Sequence, residues 1–210
     1  MGLKIVHIVH AVRTAEAAMV RLEPVLNEAD ALIGDADTGS MLARMLRAMA
    51  TATSPQVDDI GLAFTTLARA ATTATGSSLG TLLATALLTI GRATKARNEV
   101  PWQEFGNLLG AARDAMATRG GAKLGDKTVL DALDAVARTV SSFDEKTPNL
   151  AAAAARTAND ALDRLRPYAC HVGRARMFPE KSKGSDDPGM LAFALLLDAL
   201  AVSTTSKITH

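Results

Sequence analysis

Cysteine is almost missing from this chain. Cys170 stands alone in 210 residues, which excludes an internal disulfide framework and a centre built from several cysteines. Aromatic residues make up 3% of the chain, so few large side chains anchor its core. Valine and isoleucine number 12 and 6, against 41 alanines and 26 leucines. Strands favour the first pair and helices the second, so a β-sandwich or β-barrel is nearly excluded and an all-α fold is expected. Neither sign of charge dominates: 23 basic residues face 22 acidic ones, which argues against nucleic acid as a partner. The most apolar runs, Leu79–Ile90 and Met190–Val202, are shorter than the roughly 18–20 residues that span a bilayer. They read as buried helices, with no membrane partner. After Met1-Gly2-Leu3-Lys4 the apolar stretch is broken at His7, His10 and Arg13, unlike a signal peptide, so the expected location is the cytoplasm.

At 48% hydrophobic and 21% charged, the chain carries enough apolar surface for one core, and a single domain over residues 1–210 is expected. Breakers divide it into eight helical segments. The first, about 3–33, repeats apolar residues every three or four positions from Ile5 to Leu26 and ends at Gly34, with a kink or break expected at Pro24. The second and third run over about 39–53 and 57–75, separated by Ser54-Pro55, and the fourth covers about 79–97. Pro101 is expected in the first turn of the fifth, about 101–118, which Arg119-Gly120-Gly121 stops. Asp126 is the expected cap of the sixth, about 127–142. The seventh starts near Thr147-Pro148 and runs through five alanines to about Val172. A polar stretch, Arg174–Ser185, precedes the eighth, which Asp187-Pro188-Gly189 opens with a capping Asp and a first-turn Pro.

Short loops make consecutive helices antiparallel neighbours, so the expected architecture is an eight-helix up-and-down antiparallel barrel or bundle. Alternate loops then share an end. The first, third, fifth and seventh loops are the ones rich in Gly, Ser, Thr and Asp, which places a candidate site on one rim.

Asp30, Asp35 and Asp37 put three carboxylates within eight residues, at a helix end and the glycine-flanked turn after it. Carboxylates held together repel, so the cluster suits a hard cation such as Mg²⁺ or Ca²⁺; equally, each Asp fits a cap or turn former. An EF-hand does not fit, since its glycine and closing glutamate are missing. Gly120–Thr128 is a glycine-rich run into a helix start, yet Asp126 separates glycine from lysine and no strand precedes it, so it is no Walker loop. It could still offer backbone N–H groups to phosphate, or simply stop one helix and cap the next. Arg174 lies in a polar loop from which it could reach a phosphate. His7 and His10 share a helix face but lack acidic company, His171 precedes Gly173-Arg174 and is expected at most behind the residues that touch a ligand, and Cys170 reads as packing within the seventh helix.

Taken in order, Ile33-Gly34-Asp35-Ala36-Asp37-Thr38-Gly39, Gly125-Asp126-Lys127-Thr128, Gly173-Arg174-Ala175 and Asp187-Pro188-Gly189 resemble the L subunit of bacterial dihydroxyacetone kinase and the matching C-terminal domain of the single-chain enzymes. The likeness extends from about Ile5 to Val202. It implies an eight-helix barrel whose mouth binds ADP or ATP through two Mg²⁺ ions on Asp30, Asp35 and Asp37. It places nucleotide contacts at Thr38, Gly39, Ser40 and Met41, at Ala74 and Thr75, at Gly120 and Val129, at Arg174, and at Asp187, Pro188 and Gly189. It implies a phosphotransferase of glycerone-kinase type, acting on a sugar held covalently by a separate K-type subunit. An M-type phosphocarrier would recharge the nucleotide in a phosphoenolpyruvate-dependent system.

Two departures stand out. Where the family pattern has a histidine and an asparagine, this chain has Thr38 and Met41. Kinase action on another triose or tetrose, or a non-catalytic nucleotide-binding relative, are the alternative readings.

Overall fold

A computed structural model of the chain describes residues 2–144 and 149–205. Its long helices are α1 (Ile5–Ala31), α2 (Thr38–Ala52), α3 (Ile60–Ala74), α4 (Ser78–Ala93), α5 (Trp102–Gly120), α6 (Val129–Ser141), α7 (Leu150–Leu165) and α9 (Pro188–Thr205). A one-turn helix, α8 (Pro179–Ser182), follows a 3₁₀ turn at Arg174–Met177. Two short strands, β1 (Gly2–Leu3) and β2 (Val100–Pro101), pair antiparallel. The all-α expectation holds.

Each long helix packs on the next in sequence, and α9 closes the ring by packing on both α7 and α1. Polar bonds reinforce that closure: Ser203 Oγ lies 3.0 Å from His10 Nε2. With so few aromatics, close approach comes from small residues. A Cβ on Gly61 of α3 would stand 2.6 Å from the Gly91 carbonyl of α4, so these two backbones touch only because both positions are glycine. The α1 stripe from Ile5 to Leu26 faces the core, with Leu26 fully buried. Burying a leucine of this kind stabilises by roughly 1.5–3 kcal/mol. No helix among the described residues is long and apolar enough to cross a membrane.

Several sequence-level expectations need correction. Helix α1 runs through Pro24 without a break. One missing hydrogen bond is outweighed because Leu22 and Leu26, on either side, are both buried. Pro101 ends β2 and occupies the cap position before α5, outside the first turn. The cap of α6 is Thr128, in a reciprocal box with Asp131, while Asp126 bonds back to the Lys123 N–H. Helix α7 stops at Leu165, well short of Val172, because Pro167 has no N–H to offer the Asp163 carbonyl. Cys170 and His171 therefore lie in the connecting chain. The expected start of this helix at Thr147-Pro148 falls outside the described residues; Asn149 caps α7 by accepting the Ala152 N–H. The apolar runs do form helices, but Leu82, Leu83 and Leu87 in α4 and Leu195–Leu197 in α9 are half-buried, since each helix in a ring is covered mainly at its flanks.

Candidate functional site

The last turn of α1 delivers Asp30 to the rim as a buried carboxylate. Asp30 Oδ2 accepts the backbone N–H groups of Asp37 at 3.0 Å and Thr38 at 3.2 Å. Gly34 lies directly beneath: its N–H donates to the Asp30 carbonyl at 2.6 Å, and a Cβ there would collide with Asp30 Oδ1. Ala36 adopts φ +62°, which turns the loop back so that Asp35 and Asp37 return towards Asp30. One oxygen from each of the three carboxylates then lies within 4.8 Å of the others. Asp37 holds the cap position of α2 but makes no capping bond, so its carboxylate is left for other work. The guanidinium of Arg174 pairs with Asp35. Three hard oxygen donors converging at a helix N-terminus fit a divalent cation that itself carries an anion.

The start of α2 is pressed onto α1. A Cβ on Gly39 would run into the Glu23 carbonyl oxygen, so only glycine fits there. Ser40 N–H donates to Asn27 Oδ1 at 3.1 Å, Ser40 Oγ donates to Glu23 Oε1 at 2.8 Å, and Asn27 Nδ2 donates to Ser40 Oγ at 3.0 Å. The polar groups of Ser40 are thus spent on α1, and the Met41 side chain is buried in the core. What this segment offers a ligand is its Thr38-Gly39 end. Glu23 and Asn27 were missed at the sequence level. The available signal was their spacing with Asp30, which puts three polar residues on one face of an otherwise apolar-striped helix.

The third, fifth and seventh loops arrive at the same end. Thr75 Oγ1 accepts the Ser77 N–H at 3.1 Å, and Ser77 caps α4 through the Gly80 N–H. Ala74 packs against the main core. Gly120 lies against Leu82 of α4. Val129 opens α6, and a Cβ on Gly189 would stand 3.6 Å from Val129 Cβ and 3.7 Å from Leu79 Cδ1. The starts of α4, α6 and α9 therefore meet. Asp187 caps α9 as expected, accepting the Met190 N–H at 2.8 Å, with Pro188 in the first turn. Burial pushes the Asp187 carboxyl up to about 6, opposed by its backbone hydrogen bonds and by Lys127. On the other side, Ile33, Cys170 and Ala175 form a small buried cluster that joins the first loop to the seventh. Cys170 is packing, as expected; burial raises its thiol above the ordinary range. His171 is exposed and holds the Asp126 carbonyl through its backbone N–H. His7 and His10 lie at the opposite end of α1.

Loop parity thus brings together Asp30, Asp35, Asp37, Thr38, Gly39 and Arg174 on one side and Gly120, Val129, Asp187, Pro188 and Gly189 on the other. Ser40, Met41 and Ala74 contribute packing beneath them.

Comparison with known proteins finds relatives of the chain over most of its length. The profile of the DAK2 domain matches residues 32–202. The L-erythrulose 1-kinase of Mycolicibacterium smegmatis is 34% identical over 206 residues, covering 95% of this chain and 36% of that protein. The ADP-binding subunit DhaL of the PEP-dependent dihydroxyacetone kinase of Escherichia coli is 27% identical over 178 residues, covering 83% of this chain and 85% of that subunit. Among solved structures, the dihydroxyacetone kinase from C. freundii in complex with AMP-PNP and Mg²⁺ superposes with a TM-score of 0.73 at 26% identity, covering 97% of this chain and 35% of that one. This chain spans about a third of the length of the erythrulose kinases it matches.

Proposed function

We propose that this chain, which belongs to the DAK2 domain family, is the Mg-nucleotide-binding component of a short-ketose kinase. The observation that carries this reading is the convergence of Asp30, Asp35 and Asp37 with the N-terminus of α2 and with Arg174. The relatives named as an ADP-binding subunit and as a kinase bound to AMP-PNP and Mg²⁺ support it.

Phosphoryl transfer asks for position and charge rather than covalent chemistry from the protein. Two Mg²⁺ ions on the three aspartates would neutralise the phosphate chain and draw charge off the transferred group. The chain's own residues do the rest. Asp30 is fixed by two backbone N–H groups and so holds the cluster to the barrel wall. The Thr38-Gly39 end of α2 presents its helix N-terminus to the phosphates. Arg174, paired with Asp35 here, would be within reach of phosphate oxygens at the same rim. Gly120, Val129 and the Asp187–Gly189 turn, meeting at the start of α6 and α9, enclose the nucleoside side, with Ala74 and Thr75 at the edge.

The sugar is proposed to sit on a K-type subunit or domain facing the rim, as expected of a component that matches most of an ADP-binding subunit but a third of the erythrulose kinases. The acceptor is proposed to be a ketose of three or four carbons; identity with two erythrulose kinases, at 34% and 30%, favours a four-carbon sugar. The donor is either ATP, bound in exchange for ADP, or an M-type phosphocarrier that rephosphorylates bound ADP, and the partners present decide which. An assay of this chain with and without a cognate K-type partner tests the reading. Phosphorylation of erythrulose or dihydroxyacetone is expected only with both present. Robust phosphorylation by this chain alone would overturn it.

A further inference from the structure

Lys127 is the least exposed charged residue among those described, with 1% of its surface accessible. Its ammonium donates to three backbone carbonyls: Arg166 at 3.0 Å, Tyr168 at 2.8 Å and Ser182 at 2.6 Å. All three protons are thereby used on neutral acceptors. A buried cation is expensive to desolvate unless it is fully hydrogen-bonded, and an apolar side chain would fill the same volume at no such cost. A point charge with three donors is suited to one task that a leucine cannot do, which is to fix three backbone segments relative to each other.

The segments it fixes bear on the site. Lys127 itself adopts φ +61°, immediately before Thr128, the cap of α6. The three acceptors belong to the end of α7, the chain after it, and α8. Further bonds knot the same stretch: Ser182 Oγ accepts the Cys170 N–H at 2.8 Å and donates to the Pro179 carbonyl at 2.7 Å, and the Gly184 N–H donates to the Arg166 carbonyl at 2.9 Å. Between Cys170 and Ser182 the chain carries Arg174, beside Gly173 at φ +68°, and has only Ala175 buried in the small cluster with Ile33. Beyond Gly184 it leads into the Asp187 cap of α9. Little apolar packing holds this stretch, so its course rests on polar ties: the three bonds of the ammonium, the His171 N–H on the Asp126 carbonyl and the Arg166–Asp186 pair.

We propose that Lys127 is a positioning residue of the nucleotide site, tying residues 166–184 to the start of α6 so that Arg174 stands over the aspartate cluster. The proposal rests on the Mg-nucleotide reading of that cluster. Burial holds the ammonium below the usual lysine range, with Asp187 and Asp186 among the charges that oppose the shift, as close enclosure requires.

The test is Lys127→Met in the full chain, read in two ways. In the ligand-free protein, amide exchange at Cys170 and Gly184 should rise at least about tenfold, the mark of a local opening, while α1 to α4 stay protected. In calorimetry, Mg-ADP affinity should fall about tenfold in Lys127→Met, and by less than about twofold when Arg174→Gln is already present, because both changes disable the same arm. Lys127→Arg should not restore affinity, since a planar guanidinium cannot match three carbonyls that converge on one nitrogen. Full additivity of the two changes, or unchanged exchange, would overturn the proposal. If the wild type binds no Mg-ADP, the nucleotide reading fails and the positioning role falls with it, while the exchange pattern still decides the tether. Should Lys127→Met fail to fold, Lys127→Gln, which is neutral and leaves at most two donors for the three carbonyls, carries the same expectations.

Discussion

Arg174 stands on Asp35: a cation of the seventh loop reaches across the rim and pairs with a carboxylate of the aspartate cluster. Both side chains are largely solvent-exposed, so the pair contributes little to stability. Its interest is functional. The guanidinium occupies, in the ligand-free chain, charge that a divalent ion would claim.

Arg174→Gln should therefore have two opposite effects. Divalent binding without nucleotide should tighten by about two- to fivefold, as a competing cation is removed. Mg-ADP binding should weaken by about tenfold, as a charge-assisted phosphate contact is lost. Mn²⁺ titration followed by electron paramagnetic resonance measures the first, and calorimetry the second. Loss of both affinities together would mean that Arg174 builds the metal site rather than competing with it.

The three aspartates should separate by stability. Asp30 accepts two backbone N–H groups from a buried position, so Asp30→Ala leaves those donors unpaired. A loss of about 1–3 kcal/mol is expected in EDTA-treated protein. Asp35→Ala and Asp37→Ala relieve like-charge repulsion and should be neutral or slightly stabilising under the same conditions. Urea unfolding of the three variants measures this, and equal losses in all three would contradict the assignment of distinct roles.

Asp187 makes stability depend on pH. Its carboxyl is pushed up to about 6 by burial, facing Lys127 on one side and Asp131 on another. The folded state thus holds its proton more tightly than the unfolded chain. The favourable contribution is complete below the ordinary carboxyl range, near pH 4, and is lost as pH rises through about 6. Asp187→Asn, which keeps an oxygen for the Met190 N–H, should be the more stable form at pH 7.5. The advantage is at most about 3 kcal/mol, since each tenfold gain in proton affinity on folding is worth about 1.4 kcal/mol. It should vanish near pH 4. Thermal melts of both forms across that range test it, and a constant difference would remove Asp187 as the cause.

Gly34→Ala should damage the cluster without removing any of its carboxylates. Its new Cβ collides with Asp30 Oδ1, so the carboxylate must turn away from Asp35 and Asp37. A stability loss of about 1–3 kcal/mol is expected, as the Asp37 and Thr38 N–H groups lose their acceptor, together with loss of divalent binding. Retention of wild-type Mn²⁺ affinity would show that the Asp30 carboxylate is not needed in its present place.

How much of this was legible in the sequence follows from what each signal depends on. The aspartate cluster and the shared rim were readable, because Asp30, Asp35 and Asp37 are close in sequence and loop parity is a property of any up-and-down ring. Thr128 was readable but missed: Asp131 stands three residues on, a better capping signature than Asp126 offers. The end of α7 was readable at Pro167, yet the alanine run outweighed it. Lys127 was not readable. A lysine beside a cap looks like any solvated lysine until the fold supplies the carbonyls of Arg166, Tyr168 and Ser182. Nor was the fate of Ser40 and Met41, whose neighbours on α1 and in the core are set by tertiary packing.

The central claim is that the aspartate cluster holds nucleotide through divalent cations, and one calorimetric comparison tests it most directly. ADP is titrated into the chain in excess Mg²⁺ and again in EDTA, with Asp35→Ala as a third sample. Binding in Mg²⁺, with no measurable heat in EDTA or in the variant, is the predicted result. Equal ADP affinity in all three would contradict the account.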